Sequence, residues 1–333
     1  MRSAALQFPA TPFDREHNLA TAARLARAAV DQGAQLLVLP ELFNTGLVYS
    51  PRLKQAAEPE DGPTLAWLAA QSRALGAHLA GSLLLRRAGQ VHNVLALAAP
   101  DGARHLYAKR YPFLWERCSF APGRQPVIAE TALGRLGLLV GWDAVHPAAW
   151  AGYAGQVDAV LIAAAPARLH RAVLNFPGAQ KAYLAQLLPA LLRERDGLDG
   201  LFSAHTAACA AALGVPVVQA VMAGRFVTQL PLARVSLLAA AWRQPRYWPL
   251  ARQARLASLR ATFYGGSAIY GPDGALLAEA AGEEGLAVAD LPPRAAAGPA
   301  RSVPRPRLPA ELRRFEWLLR PLAASVYHQN RVA

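Results

Sequence analysis

Residues 36–46 read Leu36-Leu37-Val38-Leu39-Pro40-Glu41-Leu42-Phe43-Asn44-Thr45-Gly46. The four leading apolar residues, followed at once by proline, read as a short strand buried on both faces, as in a sheet covered by helices on either side. Pro40 ends that strand, so Glu41 falls at the rim of the sheet, where α/β folds bind ligands. Upstream, Ser3 to Phe8 is another short apolar run. Between the two, Asp14 can cap a helix whose apolar positions Leu19, Ala22, Ala26 and Val30 keep helical spacing, and Gly33 closes it. The first forty residues therefore read β-α-β.

Downstream the same grammar continues. A helix is expected over Pro63 to Leu75 with Gly76 as its stop, then a strand from His78 to Leu85, a turn at Ala88-Gly89-Gln90 and a return strand to Ala98. Pro100-Asp101-Gly102 turns the chain into a strand Ala103 to Ala108, which places Lys109 at a strand end as Glu41 is at its own. A loop from Tyr111 to Arg124 leads to the apolar strand Gly137 to Val140, ending at Gly141-Trp142-Asp143. The second half echoes this plan: strand Val157 to Ala164, helices Ala179 to Glu194 and Ser203 to Leu213, strand Val215 to Met222, and a hairpin around Pro272-Asp273-Gly274 followed by Leu286 to Leu291. Residues 223–262 fit no clean period and are expected to be a long loop with short helices. Residues 292–309, rich in Pro, Ala and Arg, read as an extended arm before a last helix Ala310 to Leu322. The expected organisation is one domain over 1–291 with a C-terminal arm and helix over 292–333.

Composition narrows the function. The 333 residues are 53% apolar and 17% charged, which excludes disorder as the dominant state. Two cysteines, Cys118 and Cys209, are too few for a disulfide framework or a multi-thiolate metal site, so no metal or cofactor is expected, and a reducing cytoplasm is the natural setting. The net charge of +13 raises nucleic acid or an acidic membrane surface as partners, but only Lys54, Lys109 and Lys181 among the 35 basic residues are lysine, and the arginine excess reads as drift along the whole chain. A cluster at Arg104, Arg110, Arg117 and Arg124 lacks interleaved aromatics. The N-terminal apolar run is too short for a signal peptide. The uncharged stretch 201–224 is long enough to span a bilayer, yet its Ser203, His205, Thr206, Pro216 and Gln219 favour a buried helix, a Gly214 stop and a strand. No membrane partner is expected.

Glu41, Lys109 and Gly141 at three strand ends, with their flanking motifs, resemble the carbon-nitrogen hydrolase, or nitrilase, superfamily. The motifs are Leu-Val-Leu-Pro-Glu-Leu-Phe-Asn-Thr-Gly (37–46), His92-Asn93, Pro-Asp-Gly through Tyr-Ala-Lys (100–109), Trp-Glu-Arg-Cys-Ser-Phe-Ala-Pro-Gly (115–123), Gly-Arg-Leu-Gly-Leu-Leu-Val-Gly-Trp-Asp (134–143) and the closing segment 263–274. The resemblance implies a four-layer αββα sandwich with two mixed β-sheets, commonly paired into dimers or higher oligomers. It further implies that Glu41 matches a general base, Lys109 the stabiliser of a tetrahedral intermediate and Glu116 a further carboxylate that orients the lysine or relays protons. The family's nucleophile is a cysteine; here that position is Gly141, and Val145, His146 and Ala148 also depart from the pattern while Asp143 and Pro147 fit.

Each candidate has a plainer alternative. Glu41 and Lys109 could be solvated strand-end charges, and Glu116 a surface ion pair with its neighbour Arg117. Cys118 is the thiol nearest the expected site and could line the pocket or lie inert. Trp142, Asp143 and His146 are expected to contribute to ligand binding; His170 and His205 read as structural or exposed. Three functional readings follow. The first is a pseudoenzyme that binds a small amide-, nitrile- or carboxylate-like ligand, or serves as a scaffold. The second is a noncovalent hydrolase in which Glu41 or Glu116 activates water and Lys109 polarises a carbonyl. Nucleic-acid binding through the basic surface is the remotest.

Overall fold

The computed structural model describes residues 1–193, 198–295 and 302–329. Two six-stranded mixed sheets dominate it. The first runs in the order Gly285–Asp290, Arg2–Gln7, Leu36–Val38, His78–Arg87, Gln90–Ala98, Arg104–Ala108. The second runs Ile128–Thr131, Gly134–Val140, Ala159–Ala164, Val217–Val221, Ala268–Tyr270, Leu276–Glu279. Read in these orders, both sheets pair antiparallel, parallel, parallel, antiparallel, antiparallel, so the echo between the two halves of the sequence is a repeat of topology. The sheets lie face to face, with Arg2–Gln7 against Val217–Val221 and Gln90–Ala98 against Gly134–Val140.

Helices cover the outer face of the first sheet. Arg15–Asp31 is capped by the Asp14 carboxylate, which accepts from His17 N, and it buries Ala22, Leu25, Ala26 and Ala29. Pro63–Leu75 stops at Gly76, in the left-handed conformation expected of a helix C-terminus. Both pack on Leu6, Leu37, Leu39, Leu79 and Leu83. On the second sheet, Ala204–Leu213 ends at left-handed Gly214 and continues into Val217–Val221. The 201–224 stretch is thus buried helix and strand, and among the described residues no helix is long and apolar enough to cross a membrane. This is the α/β architecture with mixed sheets that the resemblance implies.

The structure corrects three expectations. Residues 223–262 are not mainly loop: Arg225–Gln229 and Ser258–Thr262 pair with each other and with Val173–Asn175 and Lys181–Tyr183 in a third, antiparallel sheet, with the helix Ala233–Ala240 between. The single helix expected over 179–194 is a strand and two one-turn helices, Leu184–Leu187 and Ala190–Arg193; Leu188, at φ −125° and ψ 78°, is out of the helical region, which Pro189 after it disfavours. Glu194 lies outside the described residues, as does the middle of the 292–309 arm. The last helix runs past Leu322 to Gln329 despite Pro321, burying Leu312, Phe315, Leu319 and Ala323 along one face.

Candidate functional site

Four strand ends converge between the two main sheets: those leading to Glu41, Lys109, Gly141 and Ala165. Glu41 Oε1 accepts from Asn93 Nδ2 at 2.8 Å and from Lys109 Nζ at 2.7 Å, while Oε2 accepts from Ala165 N at 3.0 Å. Asn93 is itself fixed, since its Oδ1 accepts from the Ser82 hydroxyl at 2.9 Å. Lys109 Nζ donates a second bond to Glu116 Oε1 at 2.8 Å, and Glu116 Oε2 accepts from Phe113 N at 2.6 Å. The three ionisable residues are 2%, 1% and 4% exposed, so this is a buried ion triad, and neither the solvated reading of Glu41 and Lys109 nor the surface pair of Glu116 with Arg117 holds. Arg117 turns instead toward Glu316, 3.8 Å away.

Electrostatics follow from that burial. Desolvation pushes the Glu116 carboxyl up to about 7; Lys109 opposes the shift and Glu41 reinforces it. Desolvation alone would lower Lys109, but the Glu116 and Glu41 carboxylates together more than offset it and hold the ammonium above the usual lysine range. Burial also raises the Tyr49 phenol well above its ordinary value, with Glu116 and Glu41 adding to the effect.

Gly141 takes φ +49° where its strand turns into a single helical turn. A Cβ placed there would lie 2.7 Å from Lys109 Nζ and 2.9 Å from Glu41 Oε1, and nearer still to Glu41 Oε2, closer than real Cβ contacts come. The carboxylate and ammonium therefore occupy the space that a side chain at 141 would need. Gly123 holds the loop above them: its N donates to Lys109 O at 2.7 Å, and a Cβ there would lie 2.8 Å from Ala108 Cβ.

A cavity of about 70 Å³ opens over the triad. Space on that scale suits a handful of waters or a ligand of few heavy atoms. Its walls are apolar and aromatic. Trp142 lines it, as expected, and stacks on Phe113 with ring centroids 3.8 Å apart; its indole N–H has no hydrogen-bond partner among the described residues. Residues the sequence did not single out complete the enclosure: Tyr49, Phe202, Phe226, Tyr264 and Leu312. His170, read as structural or exposed, is buried in this wall, 3.7 Å from Asp199.

Three expected site residues do not line the cavity. Asp143 is fully buried below it, accepting from Tyr107 Oη at 2.7 Å, Tyr111 N at 2.7 Å and Arg110 N at 3.1 Å, so it clamps the backbone just after Lys109. His146 lies outside, stacked on Tyr111 at 4.0 Å; burial, with Arg117 and Arg110 nearby, lowers it to about 4 and keeps it neutral. Cys118 opens onto a neighbouring cavity with Lys54 and Ser119, and burial raises its thiol to about 11. The reason is local: within the 3₁₀ turn Leu114–Cys118, Glu116 reaches the triad while Cys118, two residues on, faces the neighbouring cavity, with Trp115 lining both. Cys209 is buried in the core, so neither thiol lines the site.

A family model described as carbon-nitrogen hydrolase matches residues 2–182. A nitrilase of Pyrococcus abyssi is 27% identical over 139 residues, covering 40% of this chain and 53% of that protein. An N-carbamoylputrescine amidase of Solanum lycopersicum is 31% identical over 157 residues, covering 44% of this chain and 52% of that one. The chain spans about half the length of the curated relatives it matches. Among solved structures, an amidase from Nesterenkonia sp. superposes with a TM-score of 0.60 at 27% identity, over 88% of this chain and 90% of its own. In another structure of that amidase, acrylamide has added to the active-site cysteine.

Proposed function

The chain belongs to the carbon-nitrogen hydrolase family, and on that premise we propose that its pocket binds a small amide-, nitrile- or carboxylate-like molecule without covalent turnover. The observation that carries this reading is the contact of Glu41 and Lys109 across the Cβ position of Gly141. A thiol mechanism needs a sulfur within reach of a base and of the electrophilic carbon. Glycine offers none, and both thiols of the chain lie away from the triad. Glu41 and Lys109 thus stand together without the sulfur they would serve in such a mechanism. Binding remains chemically reasonable: a buried Lys109 with a carboxylate on each side can accept and donate hydrogen bonds to a small polar head, while Trp142, Phe113 and Phe202 enclose an apolar body.

A second reading has its own support. Glu116, raised to about 7, is a carboxyl that could pass a proton near neutrality, so a noncovalent hydrolase would draw on it. One experiment separates the two: ammonia release and mass spectrometry on a panel of amides, nitriles and carbamoyl compounds, with the native chain, Glu41→Gln and Gly141→Cys. The binding reading expects no product from the native chain and a ligand-dependent rise in its melting temperature with some panel members. Native turnover that disappears in Glu41→Gln overturns it in favour of the noncovalent enzyme. Activity gained by Gly141→Cys would show a pocket lacking only its nucleophile.

A further inference from the structure

No aspartate or glutamate occurs from residue 200 to 272. Within that span the helix Ala233–Ala240 and the 3₁₀ turns Pro245–Arg252 and Ala254–Leu256 pack on one another beside the C-terminal helix. Every exposed residue between Arg234 and Leu256 is an arginine, a proline or a large apolar side chain. The arginines are Arg234, Arg243, Arg246, Arg252 and Arg255; the apolar residues are Val235, Leu238, Trp242, Trp248 and Leu256, the last 72% exposed. Soluble surfaces normally intersperse acidic and neutral polar groups, and exposed apolar side chains gathered in one place mark an interaction site.

We propose that this surface docks the protein on a bilayer containing anionic phospholipid, with the apolar side chains entering the headgroup boundary and the arginines pairing with lipid phosphates. The mixture of residue types selects this occupant. Arginine and tryptophan are both suited to the membrane interface, one by charge and a long apolar stem, the other by an amphipathic ring. A second copy of the same face is disfavoured, because a two-fold contact would set arginine against arginine without a carboxylate between. A nucleic acid would engage the arginines but leave Val235, Leu238 and Leu256 without a role. It would also want open aromatic faces, whereas the Trp242 ring is covered by the Arg314 guanidinium at 3.6 Å and the Trp248 indole is tied to Ala241 O at 3.0 Å. Among the described residues Glu311 lies beside Trp242 and Arg243, and its carboxylate is engaged by Ala190 N and Arg193. The expectation of no membrane partner discounted the overall arginine excess as drift along the whole chain; the apolar side chains exposed beside these arginines are a feature of the structure that composition does not show.

The face is mechanically joined to the pocket. Ser236, on the buried side of the helix that presents Val235 and Leu238, accepts from Trp115 Nε1 at 2.9 Å, and Trp115 is part of the cavity wall.

The test is co-sedimentation of the full chain with vesicles of phosphatidylcholine alone and of phosphatidylcholine mixed with phosphatidylglycerol. The chain is expected to pellet only with the anionic vesicles, with binding that falls as salt rises and a blue shift of tryptophan emission. The triple variant Arg243→Gln, Arg246→Gln, Arg252→Gln should lower partitioning about a hundredfold, from about fivefold per arginine. The double variant Trp248→Ser, Leu256→Ser, which leaves net charge unchanged, should also release the protein. Failure to pellet with anionic vesicles overturns the proposal. So does vesicle binding indifferent to the double variant together with retention on single-stranded RNA, which would assign the surface to nucleic acid. All five positions are exposed, so unchanged circular dichroism is expected; should a variant fail to fold, the contrast between the two vesicle types with the native chain decides.

Discussion

Lys109 Nζ lies 2.7 Å from Glu41 Oε1, and the pair meets where a Cβ on Gly141 would stand. Removing the ammonium would leave two carboxylates buried side by side, which is among the costliest arrangements a core can hold. Lys109→Met should therefore destabilise the fold by about 3–5 kcal/mol in urea denaturation. Most of that loss should be recovered when Glu41→Gln and Glu116→Gln are added, and a failure of the triple variant to recover would mean that the lysine acts through packing.

Gly141→Ala should cost about 1–3 kcal/mol, because φ +49° is left-handed and the new methyl must displace Glu41 and Lys109. The crowding part is separable by a double-mutant cycle. Combined with Lys109→Ala, the substitution should show a coupling energy of about 0.5–3 kcal/mol, whereas additive losses would show that only the backbone conformation matters.

Glu116 titrates near 7 instead of about 4.5, so the folded chain holds a proton that the unfolded chain has released. Unfolding then releases a proton in this window, and the Glu116 contribution to stability falls as pH rises from about 4.5 to about 7. Infrared difference spectra of the native chain should contain a protonated-carboxyl component that fades through pH 7 and is missing in Glu116→Gln, beside a component from Asp143, raised to about 6 by burial, that the variant keeps. A band already gone by pH 5 would contradict the assignment.

Asp143 satisfies the hydroxyl of Tyr107 and the N–H groups of Arg110 and Tyr111. Asp143→Ala should destabilise by on the order of 3 kcal/mol through these orphaned donors. It should also weaken ligand binding, since the same clamp sets the backbone that carries Lys109, and a loss of stability with ligand affinity intact would confine Asp143 to the core.

The two main sheets and the convergence of Glu41, Lys109 and Gly141 were legible because Glu41 and Gly141 each follow an uninterrupted apolar run, and Lys109 follows the short strand that the Pro100-Asp101-Gly102 turn opens. Glu116 was harder to place, as its direction depends on a 3₁₀ turn along which the chain passes from one cavity to the next within a few residues; the same turn removes Cys118 from the site. Asp143 and His146 follow Gly141 so closely that they seemed to share its destination, yet the tight turn at Gly141–Val145 sends them below and outside the cavity. The third sheet escaped notice because its strands are three to five residues long and pair across wide gaps in sequence, as Val173–Asn175 does with Ser258–Thr262. The cavity roof, drawn from Phe202, Phe226, Tyr264 and Leu312, has no local signal at all.

The strand Gly285–Asp290 crosses to the first sheet and pairs along the whole of Arg2–Gln7, and Leu291 N reaches Met1 O at 2.8 Å. Arg2–Gln7 is thus completed by a strand about 280 residues further along the chain. Until residue 290 is synthesised, Arg2–Gln7 has a partner on one side only, and the second sheet waits equally for Val217–Val221 and Ala268–Tyr270. A chain stalled or cleaved near residue 182 would therefore present open strand edges to its neighbours. The high sequence separation of these pairings makes slow, late-committing folding the expected kinetic behaviour of the chain.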